Sequence, residues 1–251
     1  DWYDIRTYEH YAFVISETTV GDGLPLLVYD LSQIDQGIVT PIDKPGFETS
    51  SPRNTHNVII DEQNGYLYRC NANYGTSGGI FIYDLNVDIE TSTWPIIAEI
   101  PNECHDVHVD YIDNKVYVFV SRGGQKKIEI LDVTDINNIV PISTISYPGA
   151  AYTHQLTVDN TKKWLYLNDE AYQTSSNLAS TVLIFNIEDL ENPIYEGKYE
   201  NGELATTHNM FARGDYMYQA NYITGLRIYD IIHRNNIQEI AHYDTYIPVM
   251  P

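Results

Sequence analysis

Apolar residues along this chain recur at alternate positions in short runs bounded by turn residues, the period at which a strand buries one face. The most regular run, LLVYDL from Leu26, returns as IFIYDL from Ile80, IEILDV from Ile128, LIFNI from Leu183 and LRIYDI from Leu226. Each copy is preceded by an aromatic-rich run: YAFVIS from Tyr11, YLYRC from Tyr66, VYVFVS from Val116, WLYLN from Trp164 and YMYQAN from Tyr216. Ahead of those stand shorter apolar stretches such as VIID from Val58, VHVD from Val107 and LTVD from Leu156. Turn residues such as Glu62-Gln63-Asn64-Gly65 separate the two runs, which predicts a hairpin. A fourth run closes most copies: PIIAEI from Pro95, PISTISY from Pro141, PIYEGKY from Pro193 and IQEIAHYD from Ile237.

The copies open at Tyr3-Asp4-Ile5, His56-Asn57-Val58, His105-Asp106-Val107, His154-Gln155-Leu156 and His208-Asn209-Met210, at intervals of 53, 49, 49 and 54 residues. Four short strands per copy and no amphipathic helical stretch predict an all-β fold, a β-propeller of four-stranded blades. The expected organisation is a single propeller domain over 1–251, with units at about 1–52, 53–101, 102–150, 151–204 and 205–251. Five repeats are visible, either the whole ring or part of a larger one. The polar residues ending the third runs, Asp30, Asp84, Asp132, Asn186 and Asp230, are expected to cap the turn that follows.

Composition narrows the function. Fourteen Lys and Arg against 35 Asp and Glu leave a formal charge of -21, a field that repels nucleic-acid phosphates and anionic lipid surfaces. No apolar run approaches the roughly 20 residues that cross a bilayer, so no direct membrane insertion is expected. The 22 Tyr, the acidic balance and a start at Asp1 without Met point to a processed or partial exported chain, extracellular or at the cell surface. The sequence assigns no oligomeric state and no catalytic residue. Gly21-Asp22-Gly23 and Gly123-Gly124 precede no helix that would bind phosphate, and no G-x-S-x-G elbow is present.

His56, His105, His154 and His208 occupy one phase of the repeat, where Tyr3 stands in the first copy. Opening the innermost strand of each blade, they are expected to converge on the propeller axis as a metal site. Imidazoles suit copper, zinc or iron, and the Tyr3 position leaves room for an open coordination site. The competing reading makes them blade-junction residues. The next position is polar throughout: Asp4, Asn57, Asp106, Gln155 and Asn209. These side chains are expected to support the histidines as a second layer, to chelate calcium, or to order water. Glu17, Asp169 and Glu170 end second strands near the same mouth and are candidate further ligands or bases. Cys70 and Cys104 suit either a disulfide between adjacent blades or, for Cys104, a thiolate ligand beside His105.

The order of motifs resembles the choice-of-anchor B family, secreted bacterial propellers related to LVIVD-repeat proteins. The resemblance is carried by Tyr11-Ala12-Phe13, His56-Asn57 with Gly78-Gly79-Ile80, and His105-Asp106. It continues through Tyr152-Thr153-His154-Gln155, Leu167-Asn168-Asp169-Glu170, His208-Asn209 and Tyr218-Gln219-Ala220-Asn221-Tyr222. It implies export and cell-surface residence, and no particular reaction. Two functions are therefore expected to compete. One is a metal-binding propeller with enzymatic potential. The other is a non-catalytic scaffold that binds an extracellular protein, a glycan or a small molecule through loops such as 43–54 and 171–180 and through Tyr74, Tyr172 and Tyr222.

Overall fold

The computed structural model describes residues 2–17, 26–42, 55–70, 78–172 and 179–245. Among the described residues the alternating runs become twenty strands in five antiparallel sheets of four, each sheet ordered as the chain runs. The first blade holds β1 (Trp2–Tyr8), β2 (Tyr11–Glu17), β3 (Leu27–Asp30) and β4 (Thr40–Ile42), and the second β5 (Asn57–Asp61), β6 (Tyr66–Cys70), β7 (Ile80–Asp84) and β8 (Ile96–Ile100). The third is β9 (Asp106–Ile112), β10 (Lys115–Ser121), β11 (Ile128–Asp132) and β12 (Val140–Ile145). The fourth is β13 (Thr153–Val158), β14 (Trp164–Asp169), β15 (Thr181–Asn186) and β16 (Ile194–Glu200). The fifth is β17 (Met210–Arg213), β18 (Tyr216–Ala220), β19 (Leu226–Asp230) and β20 (Gln238–Tyr243). This is the β-propeller the repeat predicts. The loop 43–54, Tyr74 and most of the loop 171–180 lie outside the described residues, as does the side chain of Glu17 at the end of β2.

Two details recur from blade to blade. Pairing between the third and fourth strands slips at Ile82/Tyr83, Ile130/Leu131, Ile184/Phe185 and Ile228/Tyr229, a bulge that adds local twist at one repeat position. Beyond the third strand, Asp30, Asp84, Asn186 and Asp230 each accept the backbone N–H two residues on, at 2.7 to 2.9 Å. That is the turn-capping role expected of them. Asp132 receives the Lys115 ammonium at 2.9 Å.

The chain forms two compact units, residues 1–109 with 134–139 and residues 110–133 with 140–251. In the first, Phe13, Ile15, Val28, Val58, Leu67 and Trp94 build a core between the two opening blades. Cys70, at the end of β6, and Cys104 are joined by a disulfide with a Cα–Cα distance of 5.5 Å. A bonded sulfur is no thiolate ligand, so the softer alternative at Cys104 does not arise. The bridge closes a separation of 34 residues, which restricts the unfolded chain. Cys70→Ser with Cys104→Ser is expected to lower stability by about 2–4 kcal/mol, read from denaturant midpoints of oxidised parent and variant.

In the second unit, side chains from β10, β11, β13, β14 and β15 form one core that includes Phe119, Leu165, Leu183 and Phe185. A second core joins the fourth and fifth blades. There Tyr166, Val182 and Ile184 meet Met210, Met217, Tyr229 and Ile231.

Candidate metal centre

His154 owes its position to a bulge. β13 and β14 pair Thr153 with Asp169 and then Gln155 with Asn168, so His154 is the extra residue and its side chain is re-aimed. It is 2% exposed. Glu170 follows β14 directly and brings a carboxylate oxygen to 3.6 Å from His154 Nε2. His208 stands just ahead of β17, and its ring centroid lies 4.4 Å from that of His154. One ligand atom from each of His154, Glu170 and His208 lies within 4.8 Å of the others, close enough to share one ion. Two imidazoles and a carboxylate suit zinc, iron, nickel or copper, and three protein ligands leave positions for water or substrate.

Residues around this group hold it in place. Asp169, 1% exposed, accepts the Ala151, Tyr152 and Ala171 amides and the Tyr147 hydroxyl, which fixes the chain on either side of Glu170. Tyr222 donates its hydroxyl to Glu170 Oε1 at 2.7 Å and sets its ring edge-on to His208 at 4.9 Å. Burial first, and then the Glu170 hydrogen bond, push the Tyr222 hydroxyl well above its ordinary pKa, so it remains a donor. Gly225 closes the Tyr222–Thr224 turn at φ 72°, and a Cβ there would strike the Tyr243 carbonyl. A chain of buried amides anchors His208. Asn221 donates to Gln219 at 3.0 Å, Gln219 to Asn168 at 2.8 Å, and Asn168 to the His208 carbonyl at 2.6 Å. A cleft of about 520 Å³, lined by Ala151, Tyr152, Glu170, Ala171, Thr206 and Tyr222, opens beside the group.

The first unit brings His56 and His105 together, with ring centroids 4.1 Å apart. Asp106 beside them is buried, and its carboxyl pKa is raised to about 7, first by desolvation and then by the charge of Asp4. A carboxyl that holds its proton more tightly when folded stabilises most below the usual carboxylate range. That contribution is lost as pH climbs from about 4 to about 7. Asp106→Asn, which cannot ionise, should therefore gain on the parent across this window by up to about 1.4 kcal/mol per pH unit. Denaturation midpoints of both proteins on either side of the window test this, and parallel profiles would contradict it.

The polar residues after Tyr3, His56 and His154 bind the next blade. Asp4 Oδ2 accepts the Val58 N–H at 3.2 Å, and Asn57 Oδ1 accepts the Val107 N–H at 3.4 Å. Gln155 both accepts the Met210 N–H at 2.8 Å and donates to the Met210 carbonyl at 2.9 Å. Each latches the backbone of the next blade. Among the out-of-phase histidines, His10 lies 4.0 Å from Asp30 and His242 lies 3.1 Å from Glu239, both well exposed. Neither joins a group of three ligating side chains among the described residues.

No protein-family model matches this chain, and no curated protein matches it in sequence. Solved structures do resemble it. A protein from Lactobacillus plantarum matches 95% of the chain, over 69% of its own, with TM-score 0.65 and 14% identity. A candidate 6-phosphogluconolactonase from Bacteroides fragilis matches 95%, over 68% of its own, with TM-score 0.68 and 11% identity. A hypothetical selenium-binding protein from Sulfolobus tokodaii matches 94%, over 64% of its own, with TM-score 0.63 and 11% identity. At such identities the likeness establishes that this chain has the β-propeller fold of its neighbours, and it leaves the chemistry to the residues above.

Proposed function

We propose that this chain is an exported or cell-surface β-propeller of the choice-of-anchor B type. In this reading it binds a transition-metal ion at its repeat-phase histidines, with His154, Glu170 and His208 as the ligand set of the second unit. The observation that carries the reading is the convergence of those three ligand atoms within 4.8 Å, at the end of strands from two successive blades. The donor set favours zinc, copper or iron over calcium, which prefers six or more oxygens. The Cys70–Cys104 disulfide supports residence in an oxidising compartment.

An ion held by three side chains keeps positions open beside the cleft, where it would act as a Lewis acid on bound water or on a substrate carbonyl. Tyr222, a donor 2.7 Å from Glu170, would orient that carboxylate, and Asp169 would hold the backbone beneath it. Elemental analysis of protein purified without a metal-affinity column tests the reading. About one zinc, copper or iron per chain, removed by a chelator and restored on reloading, is the expected result. No transition metal even after reloading overturns it, and the histidines are then junction residues.

A further inference from the structure

Within the second unit, the third and fourth blades meet over side chains that fill the space between them. Phe119 pairs with Ile130 across β10 and β11, and Ile130 with Ser143 on β12. Ile142, the extra residue of the β12 bulge, and Leu190, four residues after Asn186, pack against that core. Ser143 Oγ donates to the Leu190 carbonyl at 2.6 Å and closes the junction.

One repeat later, between the fourth and fifth blades, the same positions carry different chemistry. Tyr166 stands where Phe119 does, Glu196 where Ile142 does, Gly197 where Ser143 does, and Arg234, four residues after Asp230, where Leu190 does. A Cβ at Gly197 would meet nothing within 4 Å. The space that is filled at the preceding junction is here a cleft of about 400 Å³, lined by Trp164, Ile184, Gly197, Tyr199, Arg234 and Asn236. An apolar junction that turns polar and opens at a single repeat marks a departure from packing, and such departures accompany function.

The groups in the cleft define what it takes. Arg234 pairs with Asp159 and donates from NH1 to the Ile232 carbonyl at 2.6 Å, yet its Nε is buried with no hydrogen-bond partner among the described residues. Lys198, also in the wall, pairs with Glu200. Glu196 adds an exposed carboxylate beside these two cations. A wall that holds both signs favours neither an anion nor a cation, and the charge of -21 further repels anions. Trp164 and Tyr199 supply apolar ring surface.

We propose that this inter-blade cleft binds a neutral saccharide, with a sugar ring against Trp164 and its hydroxyls shared among Glu196, Arg234 and Asn236. A sugar joins an apolar ring face to hydroxyls that both donate and accept. Glu196 accepts, the Arg234 Nε–H donates, and the Asn236 amide does both. The absent side chain at Gly197 leaves room for the ring. All these residues belong to the second unit and none is a ligand of the metal centre, so the proposal stands apart from the metal reading.

Ligand-observed saturation-transfer NMR on the whole chain tests it. The probes are glucose, galactose, N-acetylglucosamine and their β-linked disaccharides, with glucuronate, galacturonate and glucosamine as charged counterparts. At least one neutral sugar is expected to bind, about tenfold more tightly than its charged counterpart. Trp164→Ala should weaken that sugar roughly tenfold or more, and so should Arg234→Leu made with Asp159→Asn, which installs the residue of the closed junction and strands no carboxylate. Glu196→Ala, at an exposed side chain, should weaken it likewise, and it carries the test if circular dichroism shows either of the others unfolded. Tyr243→Ala, at an exposed ring outside the cleft, should bind as the parent does. A chelator should leave binding unchanged. The proposal is overturned if no neutral sugar binds, if the charged counterparts bind as well, or if folded cleft variants bind like the parent. It is equally overturned if Tyr243→Ala loses as much as Trp164→Ala, or if the chelator abolishes binding, which would place the sugar at the metal centre.

Discussion

Replacing His154 and His208 together by Ala should take the chain from about one bound transition-metal ion to none, with its β-sheet circular dichroism unchanged. The two imidazoles supply two of the three ligand atoms gathered within 4.8 Å, and a lone carboxylate beside a tyrosine hydroxyl does not retain such an ion through dialysis. His233→Ala with His242→Ala, at positions out of phase with the repeat, should keep the full complement. His56→Ala with His105→Ala defines the extent of the ligand set. Loss of metal there would extend it to all four repeat-phase histidines, and retention would confine it to the second unit. Elemental analysis of the three double variants reads all of this. If the first variant keeps its metal, His154 and His208 are not ligands.

The second large effect is in the core. Phe185 on β15 is 0% exposed, with the Tyr195 ring 5.4 Å and the Tyr147 ring 5.9 Å from its own. Its ring fills the space between the third and fourth blades of the second unit, where Leu165, Leu183 and Phe119 are also fully enclosed. Phe185→Ala removes that contact and leaves a cavity the surrounding strands cannot close, because their hydrogen-bonded ladders hold them apart. The expected cost is about 3–5 kcal/mol, a large part of the roughly 5–15 kcal/mol that stabilises a typical domain. Phe211→Ala, at a ring that is 52% exposed, should cost about 0.5 kcal/mol or less. Urea midpoints at a constant slope measure both, and a Phe185 variant as stable as the parent would contradict this packing.

The propeller was legible in the sequence because one pattern of alternation is used five times, and such a repeat leaves little choice of fold. The turn-capping role of Asp30, Asp84, Asn186 and Asp230 was legible for the same reason, since their partners lie two residues away. Glu170 was legible as a carboxylate at a strand end, but nothing local distinguished it from Asp169. Their difference lies in partners. Asp169 spends both oxygens on backbone amides of 151, 152 and 171, whereas Glu170 reaches His154. The latches of Asp4, Asn57 and Gln155 were hidden because they bind backbone atoms some 50 positions away, and any residue supplies those atoms. The amide chain from Asn221 through Gln219 and Asn168 to His208 was hidden likewise, since Asn168 on β14 lies 51 residues from Gln219 and 40 from His208. The cysteines left two chemistries open, and proximity in the fold selected the bond.

The most direct test of the central claim is an anomalous-scattering map of metal-loaded crystals, collected on either side of the absorption edge of the ion that elemental analysis identifies. The account predicts one strong peak within bonding distance of His154, Glu170 and His208, beside the cleft that Tyr152 and Tyr222 line. A peak elsewhere, or none in fully loaded protein, would contradict it.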